Sequence, residues 1–248
     1  MLAVLQGIIL TMLYSRTPDS FIINLNDKED DFLFATERYD RKILDTSKEL
    51  MGKKVPLRLH QEDFAQALGI TASQKYEKNG KDYLAEAFEL IKNYSSNPIE
   101  DQIRLWDLCI FNYLIGNTDN HVKNIALLYS EDLKGIRLAP AYDLLSTVIY
   151  DSSTEKMSLN IDGEYDIRNI NQKSFENEAK KLGLGKGIAT QHFLSMVEKF
   201  EMALEQSTYK LEEQGYGVAV DIQKQILKKA GIHNFKLTNS QFNYIISN

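Results

Sequence analysis

The sequence predicts an α+β fold that is mostly helical, with a small sheet at its edge. Two segments near the start, "SFIINLND" and "DFLFATERYD", are rich in β-branched and aromatic residues. Beyond about residue 100, apolar residues recur mainly at helical spacing. At 248 residues and 43% hydrophobic residues, the chain can bury a sizeable core. These observations favour a globular protein with a strand-bearing first part and a helical second part.

The first part contains a predicted hairpin and two predicted helices. The two strand-like segments flank an acidic turn at residues 26–31, which is typical of a hairpin. "HQEDFAQALGI" then places Phe64, Ala65 and Leu68 at helical spacing after polar residues that can cap a helix. "YLAEAFELIKNY" repeats this amphipathic pattern. The apolar segment at residues 2–13 is too short to span a bilayer and lacks a positive leader, so we expect it in the core. The alternative is that it is the remnant of a longer segment.

The second part is organised around one apolar helix. Pro98 marks its start, and the residues from Leu105 to Ile115 are apolar nearly all round, which predicts a central buried helix. "NIALLYS" and "GIRLAPAYD" follow as a predicted hairpin, and "MSLNIDGEYD" as another extended piece. From Asn171 onward, three more helical patterns predominate.

Composition limits the classes of partner. A net charge of −6 disfavours direct binding to nucleic acid, because the phosphate backbone would be repelled. Cys109 is the single cysteine, so the chain has neither a disulfide framework nor a cysteine metal site. A reducing, cytoplasmic compartment without membrane attachment is therefore expected.

The polar stretch after the central helix carries the candidate chemistry. Asp119 and Asn124 have the spacing with which protein kinases orient a substrate hydroxyl and hold magnesium. An antiparallel return of the following hairpin would bring Asp143 beside Asn124 as a second oxygen ligand. Taken alone, the spacing also fits a turn held by Asx hydrogen bonds.

The complete string "FNYLIGNTDNHVKNIALLY…GIRLAPAYDLLST" resembles the HipA family of serine/threonine kinases, the toxins of bacterial toxin–antitoxin modules. Four further stretches agree in the same order: "ATERYDRK", "LHQEDFAQALGI", "KYEKNG" and "MSLNIDGEYDIRNI". The resemblance covers roughly residues 30–235 and implies a protein-kinase-like C-lobe that uses ATP and Mg²⁺.

The resemblance also implies a role for each matching residue. Asp119 would be the catalytic base, and Asn124 and Asp143 would bind Mg²⁺. Further contacts to the nucleotide would come from the hinge at Glu37, Arg38 and Tyr39, and from His121, Lys123 and Tyr142.

One part of the family pattern has no counterpart in this sequence. The family carries a small-residue phosphate loop and a strand lysine before the hinge, whereas the first lysine here is Lys28, in an acidic turn. We therefore expect a truncated N-lobe with its hinge at residues 1–45, followed by the helical kinase domain at residues 46–248.

Three interpretations remain open. The chain is an active kinase that obtains its phosphate loop from a separately encoded N-terminal subunit, or a pseudokinase or binding module with little or no phosphotransfer. The third interpretation is an incomplete gene product. The resemblance further implies a DNA-binding antitoxin as partner. Its implied protein substrate is a translation factor such as an aminoacyl-tRNA synthetase.

Overall fold

The computed structural model describes residues 17–24, 32–78 and 80–232. The apolar segment at residues 2–13 and the turn that contains Lys28 lie outside the described residues. The predicted division of the chain after residue 45 stays a prediction.

Two pairs of short strands and a hairpin tip form the first part of the fold. The predicted hairpin is confirmed, because its two strands pair antiparallel over five residues each. The chain then extends into an arm, residues 41–58. At its base the first and last of its four strands pair with each other, and at its tip the middle two form a second hairpin. These strands are β1 (Ser20–Asn24), β2 (Phe32–Thr36), β3 (Arg41–Lys42), β4 (Glu49–Leu50), β5 (Lys53–Lys54) and β6 (Leu57–Arg58).

A three-stranded antiparallel sheet connects this first part to the central helix. Its strands, in spatial order, are β7 (Gln61–Asp63), β8 (Ala126–Tyr129) and β9 (Ile136–Leu138). The predicted hairpin after the central helix is confirmed as β8 and β9. Because β7 pairs with β8, the segment that follows the arm lies directly beside the segment that follows the central helix.

The helix predicted over "HQEDFAQALGI" is shorter than the pattern indicates, since only α1 (Phe64–Ala67) is helical. The polar residues predicted to cap it, Gln61–Asp63, also pair with β8 as strand β7. Asp63 caps α1: its Oδ1 accepts from the Gln66 amide at 2.8 Å, and Gln66 Oε1 accepts from the Asp63 amide at 3.0 Å. At Gly69 the chain leaves the helix with φ +67°, a conformation that glycine adopts without steric cost.

The next two helices agree with the predicted pattern. They are α2 (Tyr83–Tyr94) and α3 (Pro98–Ile115). Pro98 occupies the first turn of α3, where its missing amide hydrogen costs nothing. Every residue from Leu105 to Ile115 is buried, so α3 is the predicted central helix.

The remaining elements surround α3. β10 (Lys156–Ile161) and β11 (Glu164–Asp166) form a hairpin, and three helices complete the described chain: α4 (Gln172–Lys181), α5 (Lys186–Glu213) and α6 (Val218–Lys229). Large buried side chains join these helices to α3 in one core; they include Phe64, Phe88, Trp106, Phe111, Tyr113, Phe175 and Phe200. None of the helices described is both long enough and apolar enough to cross a membrane.

Candidate functional site

A buried chain of amides positions the loop that follows α3. Gly116 ends the helix with φ +70°, and the loop turns back beneath it. Asn117 Nδ2 donates to Asn112 Oδ1 at 2.8 Å and to the Asp143 carbonyl oxygen at 3.3 Å. Asn112 in turn donates to the Leu108 carbonyl one helical turn earlier. Because Asn112 and Asn117 are each only 1% exposed, these bonds fix the loop against the helix and against the segment at Asp143.

The loop brings Asp119 and Asn124 together with Asp143, the three residues predicted as catalytic base and metal ligands. Asn124 Nδ2 donates to Asp143 Oδ2 at 2.7 Å and to the Asp119 carbonyl oxygen at 3.2 Å. The antiparallel return of β8 and β9 produces this contact, as predicted. Asp143 has φ +54°, which is uncommon outside glycine and concentrates at functional sites when the surroundings enforce it.

The oxygen atoms left over at this contact suit a hard cation. Because Asn124 uses its amide nitrogen for both bonds, its side-chain oxygen and the second Asp143 oxygen have no partner that the structure describes. Within the described ranges, no group of three or more His, Cys, Asp or Glu residues could hold a metal ion alone. A magnesium ion normally takes one or two protein oxygens and completes its shell with water and phosphates, so the pair fits Mg²⁺ bound together with a nucleotide.

His121 lies within the same loop and contacts a lysine from another segment. Its ring is 6% exposed, and Lys75 Nζ lies 2.7 Å from its Nε2. Burial, and after it the Lys75 charge, lowers the pKa of His121 below its usual value of 6.5. The ring is therefore neutral at pH 7. Since an ammonium group only donates, Nε2 accepts and the proton resides on Nδ1, a buried atom with no partner among the described residues.

Asp119 accepts a hydrogen bond from Tyr76, the residue that follows Lys75. Tyr76 donates its phenol hydrogen to Asp119 Oδ1 at 2.8 Å. The Tyr76 ring lies edge-on to His121 with 5.3 Å between ring centroids, and the Lys75 ammonium lies 4.7 Å from the Tyr76 centroid. Lys75 and Tyr76 thus contact both His121 and Asp119.

Lys123 and Tyr142 are joined by a hydrogen bond. The Tyr142 hydroxyl donates to the Lys123 carbonyl oxygen at 2.8 Å, and the Lys123 side chain is half-buried. Tyr142 stacks on Tyr39 with 6.0 Å between centroids and 28° between planes. Burial raises the pKa of both phenols, that of Tyr39 to about 12, so both are neutral hydrogen-bond donors.

The predicted hinge residues already have internal partners. The Glu37 amide donates to the Asp19 carbonyl at 2.8 Å, which continues the β1–β2 pairing. The Arg38 guanidinium forms two 2.8 Å bonds to the buried Asp40 carboxylate, and those bonds lower the pKa of Asp40. Tyr39 donates to Gln61 Oε1 at 2.7 Å and so connects the hinge to β7.

Two cavities open on either side of the site. One, of about 560 Å³, lies between the β1–β2 hairpin and the segment from Ala141 to Leu145, which includes Asp143. The other, of about 750 Å³, is lined by Asp119, Tyr76 and the segment that precedes β10. Asp143 therefore faces the first cavity and Asp119 the second, with Asn124 between them.

The sequence patterns did not assign roles to Lys75 and Tyr76. The only signal that could have found them is the stretch "KYEKNG", which the resemblance marked as a loop. Asn112 and Asn117 were likewise not singled out as supports, because a buried amide chain depends on contacts that helical periodicity does not reveal.

Comparison with known proteins identifies the family of this chain. The family model of the HipA-like C-terminal domain matches residues 10–206. Putative kinase Y4mE of Sinorhizobium fredii is 36% identical over 164 residues, which are 66% of this chain and 37% of that protein. The serine/threonine-protein kinase toxin HipA of Shewanella oneidensis is 27% identical over 180 residues, which are 68% of this chain and 40% of that protein.

A solved structure from Shewanella oneidensis, in which HipA is in complex with HipB and operator DNA, has the same fold. Its TM-score is 0.76 at 21% identity, and the match covers 92% of this chain and 54% of that chain. The chain spans about two fifths of the length of these curated relatives. Since the family model matches most of the chain, the protein belongs to the HipA-like kinase family through its C-terminal domain.

Proposed function

We propose that this chain binds magnesium ATP and transfers the γ-phosphoryl group to a serine or threonine hydroxyl of a protein. The observation that carries the proposal is the contact of Asn124 with both Asp143 and Asp119, in a chain whose family members are named kinases. Phosphoryl transfer needs little covalent chemistry from a protein, so catalysis depends on positioning and charge.

Asp119 would accept the proton of the substrate hydroxyl. Tyr76 supports this role, because its hydroxyl already makes the contact that a substrate hydroxyl would make with Oδ1. A distance of 2.8 Å is within the reach of a general base. The substrate hydroxyl would take the place of the Tyr76 hydroxyl, in the cavity of about 750 Å³.

Asn124 and Asp143 would hold Mg²⁺ through the two oxygens that their mutual hydrogen bond leaves over. When bound, the ion supplies positive charge against the phosphate oxygens. The chain itself contributes rigidity, because Asn117 anchors the Asp143 carbonyl and Asn112 anchors Asn117.

The nucleotide base would occupy the cavity of about 560 Å³ beside Tyr142 and the β1–β2 hairpin. Glu37, Arg38 and Tyr39 would form its hinge. Because the Glu37 amide already donates to Asp19, Glu37 would contribute its carbonyl oxygen to the base. His121 and Lys123 would face the phosphates from the loop.

The partners proposed for this chain follow from its relatives. The Shewanella structure contains HipA with HipB and operator DNA, which supports a DNA-binding antitoxin as a partner here. With a net charge of −6, this chain would contact DNA only through such a partner. We further propose a cytoplasmic location and a protein substrate such as an aminoacyl-tRNA synthetase or another translation factor.

A second candidate function is nucleotide binding without turnover. It is favoured by the Tyr76 hydroxyl, which already occupies Asp119 Oδ1 at 2.8 Å and would have to leave before a substrate hydroxyl could bind there.

Transfer of radiolabelled γ-phosphate to proteins of a bacterial lysate tests the proposal. We expect label in protein with the wild type, and a loss of about 10²-fold or more in Asp119→Asn, which removes the base. Asp132→Asn, at an exposed turn, is the matched control and should leave transfer unchanged. Calorimetric binding of Mg-ATP without any transfer would support the second candidate, and the absence of both binding and transfer would refute the proposed function.

A further inference from the structure

We propose that Lys75 supplies the cation that contacts the γ-phosphoryl group of the nucleotide. This inference rests on the proposed function and adds a phosphate-binding residue to the same site. It starts from an imbalance of charge: the site holds the carboxylates of Asp119 and Asp143, and a nucleotide triphosphate would add several more negative charges.

The position of Lys75 is fixed by two contacts of different kinds. Its ammonium group lies 2.7 Å from His121 Nε2 and 4.7 Å from the centroid of the Tyr76 ring. Since His121 belongs to the same short loop as Asp119 and Asn124, the first contact places the Lys75 charge beside the functional side chains. A cation over an aromatic face is further stabilised by the ring quadrupole.

The donors of Lys75 are incompletely used. An ammonium group has three N–H donors, and His121 accepts one of them. Across the described residues, no carboxylate lies within 4.0 Å of the Lys75 nitrogen, although the chain carries more acidic than basic side chains. A half-buried lysine normally forms an ion pair or extends into water, so a lysine that instead contacts a neutral ring beside a candidate phosphate site is arranged for an anionic ligand.

His121 would act as a positioning residue for this lysine. Because its ring accepts a hydrogen bond from the ammonium without neutralising it, Lys75 keeps its full charge for the ligand. A carboxylate in the place of His121 would form an ion pair with Lys75 and weaken its attraction for phosphate. The neutral ring therefore explains how a lysine can be held firmly and still bind an anion.

Lys123 is the competing candidate for the same role. It follows Asp119 by four residues, and its carbonyl oxygen is held by Tyr142. Its side chain has no hydrogen bond or ion pair with any described residue, so no polar contact fixes its direction. We therefore assign the γ-phosphoryl contact to Lys75.

Calorimetric titration of the full chain with Mg-AMPPNP and with Mg-ADP separates this role from a structural one. We expect Lys75→Met to weaken AMPPNP binding by about tenfold or more and to leave ADP binding within about twofold of the wild type, because only AMPPNP carries the third phosphate. Lys75→Arg should retain part of the preference for AMPPNP. Lys78→Met, at an exposed position of the same segment, is the matched control and should leave both affinities unchanged.

Three results would overturn the inference. Equal losses of AMPPNP and ADP affinity in Lys75→Met would show that the lysine supports the loop rather than the third phosphate. A selective loss of AMPPNP binding in Lys123→Met but not in Lys75→Met would transfer the role to Lys123. If the wild type binds neither nucleotide, the proposed function fails and this inference fails with it.

Thermal unfolding of each variant establishes that it is folded, and Lys75→Gln replaces Lys75→Met under the same criteria if the latter does not fold.

Discussion

The side-chain amide of Asn124 donates to the carboxylate of Asp143 at 2.7 Å, across 19 residues of sequence. The β8–β9 hairpin separates the two residues and returns one to the other. Because Asp143 adopts φ +54°, its position depends on the surrounding bonds, including the 3.3 Å bond from Asn117 to its carbonyl oxygen. The contact thus joins a strained residue to the loop that follows the central helix.

Asp143→Asn tests whether this carboxylate binds magnesium. Asparagine tolerates a positive φ, so the fold should persist while the charge on the cation ligand is lost. We expect the magnesium-dependent part of nucleotide affinity to fall by about tenfold or more, measured by calorimetry with and without Mg²⁺.

Asp162→Asn is the matched control for that variant. Asp162 also has a positive φ, +57°, but lies in the turn of the β10–β11 hairpin. Its substitution should leave nucleotide affinity unchanged. If the two variants bind nucleotide equally well at every magnesium concentration, Asp143 is not a ligand of the ion.

Gly116→Ala should destabilise the end of α3. A Cβ at this position would overlap Val148 Cγ1, and the φ of +70° is unfavourable for alanine. The two costs together predict a loss of about 2–4 kcal/mol in the free energy of unfolding, measured by urea denaturation.

Gly183→Ala isolates the conformational cost alone. Gly183 has φ +73°, and no atom lies within 4 Å of its built Cβ. We expect a loss of about 1 kcal/mol at this position. Similar losses in the two variants would mean that Val148 moves aside and that the loop is less tightly packed than its contacts indicate.

Much of this architecture follows from local sequence patterns, and the remainder depends on contacts between distant segments. The apolar run of α3, its proline start and the strand composition of β1 and β2 are local, so they were predictable. The strand formed by the residues just before α1 was not, because its partner β8 lies more than 60 residues later in the sequence. The candidate site likewise combines local and distant features. The spacing of Asp119 and Asn124 is visible in the sequence, whereas the contact between Lys75 and His121 joins residues 46 positions apart.

Asp101→Asn should weaken the contact between β9 and α3 and lower the free energy of unfolding. The buried Asp101 carboxylate accepts bonds from Arg137, Arg104, Ser95 and the Leu138 amide, all between 2.6 and 3.1 Å. Burial alone would raise the pKa of Asp101, but these donors outweigh it and lower the pKa below 3.8. Removal of the charge takes away the buried carboxylate that both arginines share, which predicts a loss of about 3 kcal/mol or more near pH 7.

The pH dependence of that loss has a definite sign. A carboxylate whose pKa is lower in the folded state contributes stability above its unfolded pKa of about 3.8 and loses it as the pH falls below that value. Urea denaturation at pH 7 and at pH 3 should therefore show a smaller difference between Asp101→Asn and the wild type at the lower pH. An equal difference at both values would show that the loss is one of packing rather than of charge.

Asp107 should show the opposite pH dependence, because its environment disfavours the charge. It is buried between α3 and α5, and its Oδ1 lies 2.8 Å from His192 Nδ1. Burial raises the pKa of Asp107 to about 6, although the His192 charge and hydrogen bond oppose the change. A carboxyl group with a raised folded pKa contributes most to stability below its unfolded pKa of about 3.8, and that contribution is lost as the pH rises through about 6.

Asp107→Asn keeps the shape and a hydrogen bond without titrating, so the wild type should lose stability relative to this variant between pH 4 and pH 7, by about 1–3 kcal/mol. Urea denaturation of both proteins across that range measures the difference. His192→Gln in both backgrounds separates the contribution of the imidazole, and a difference that stays constant with pH would mean that Asp107 remains charged throughout and is fully compensated by its partner.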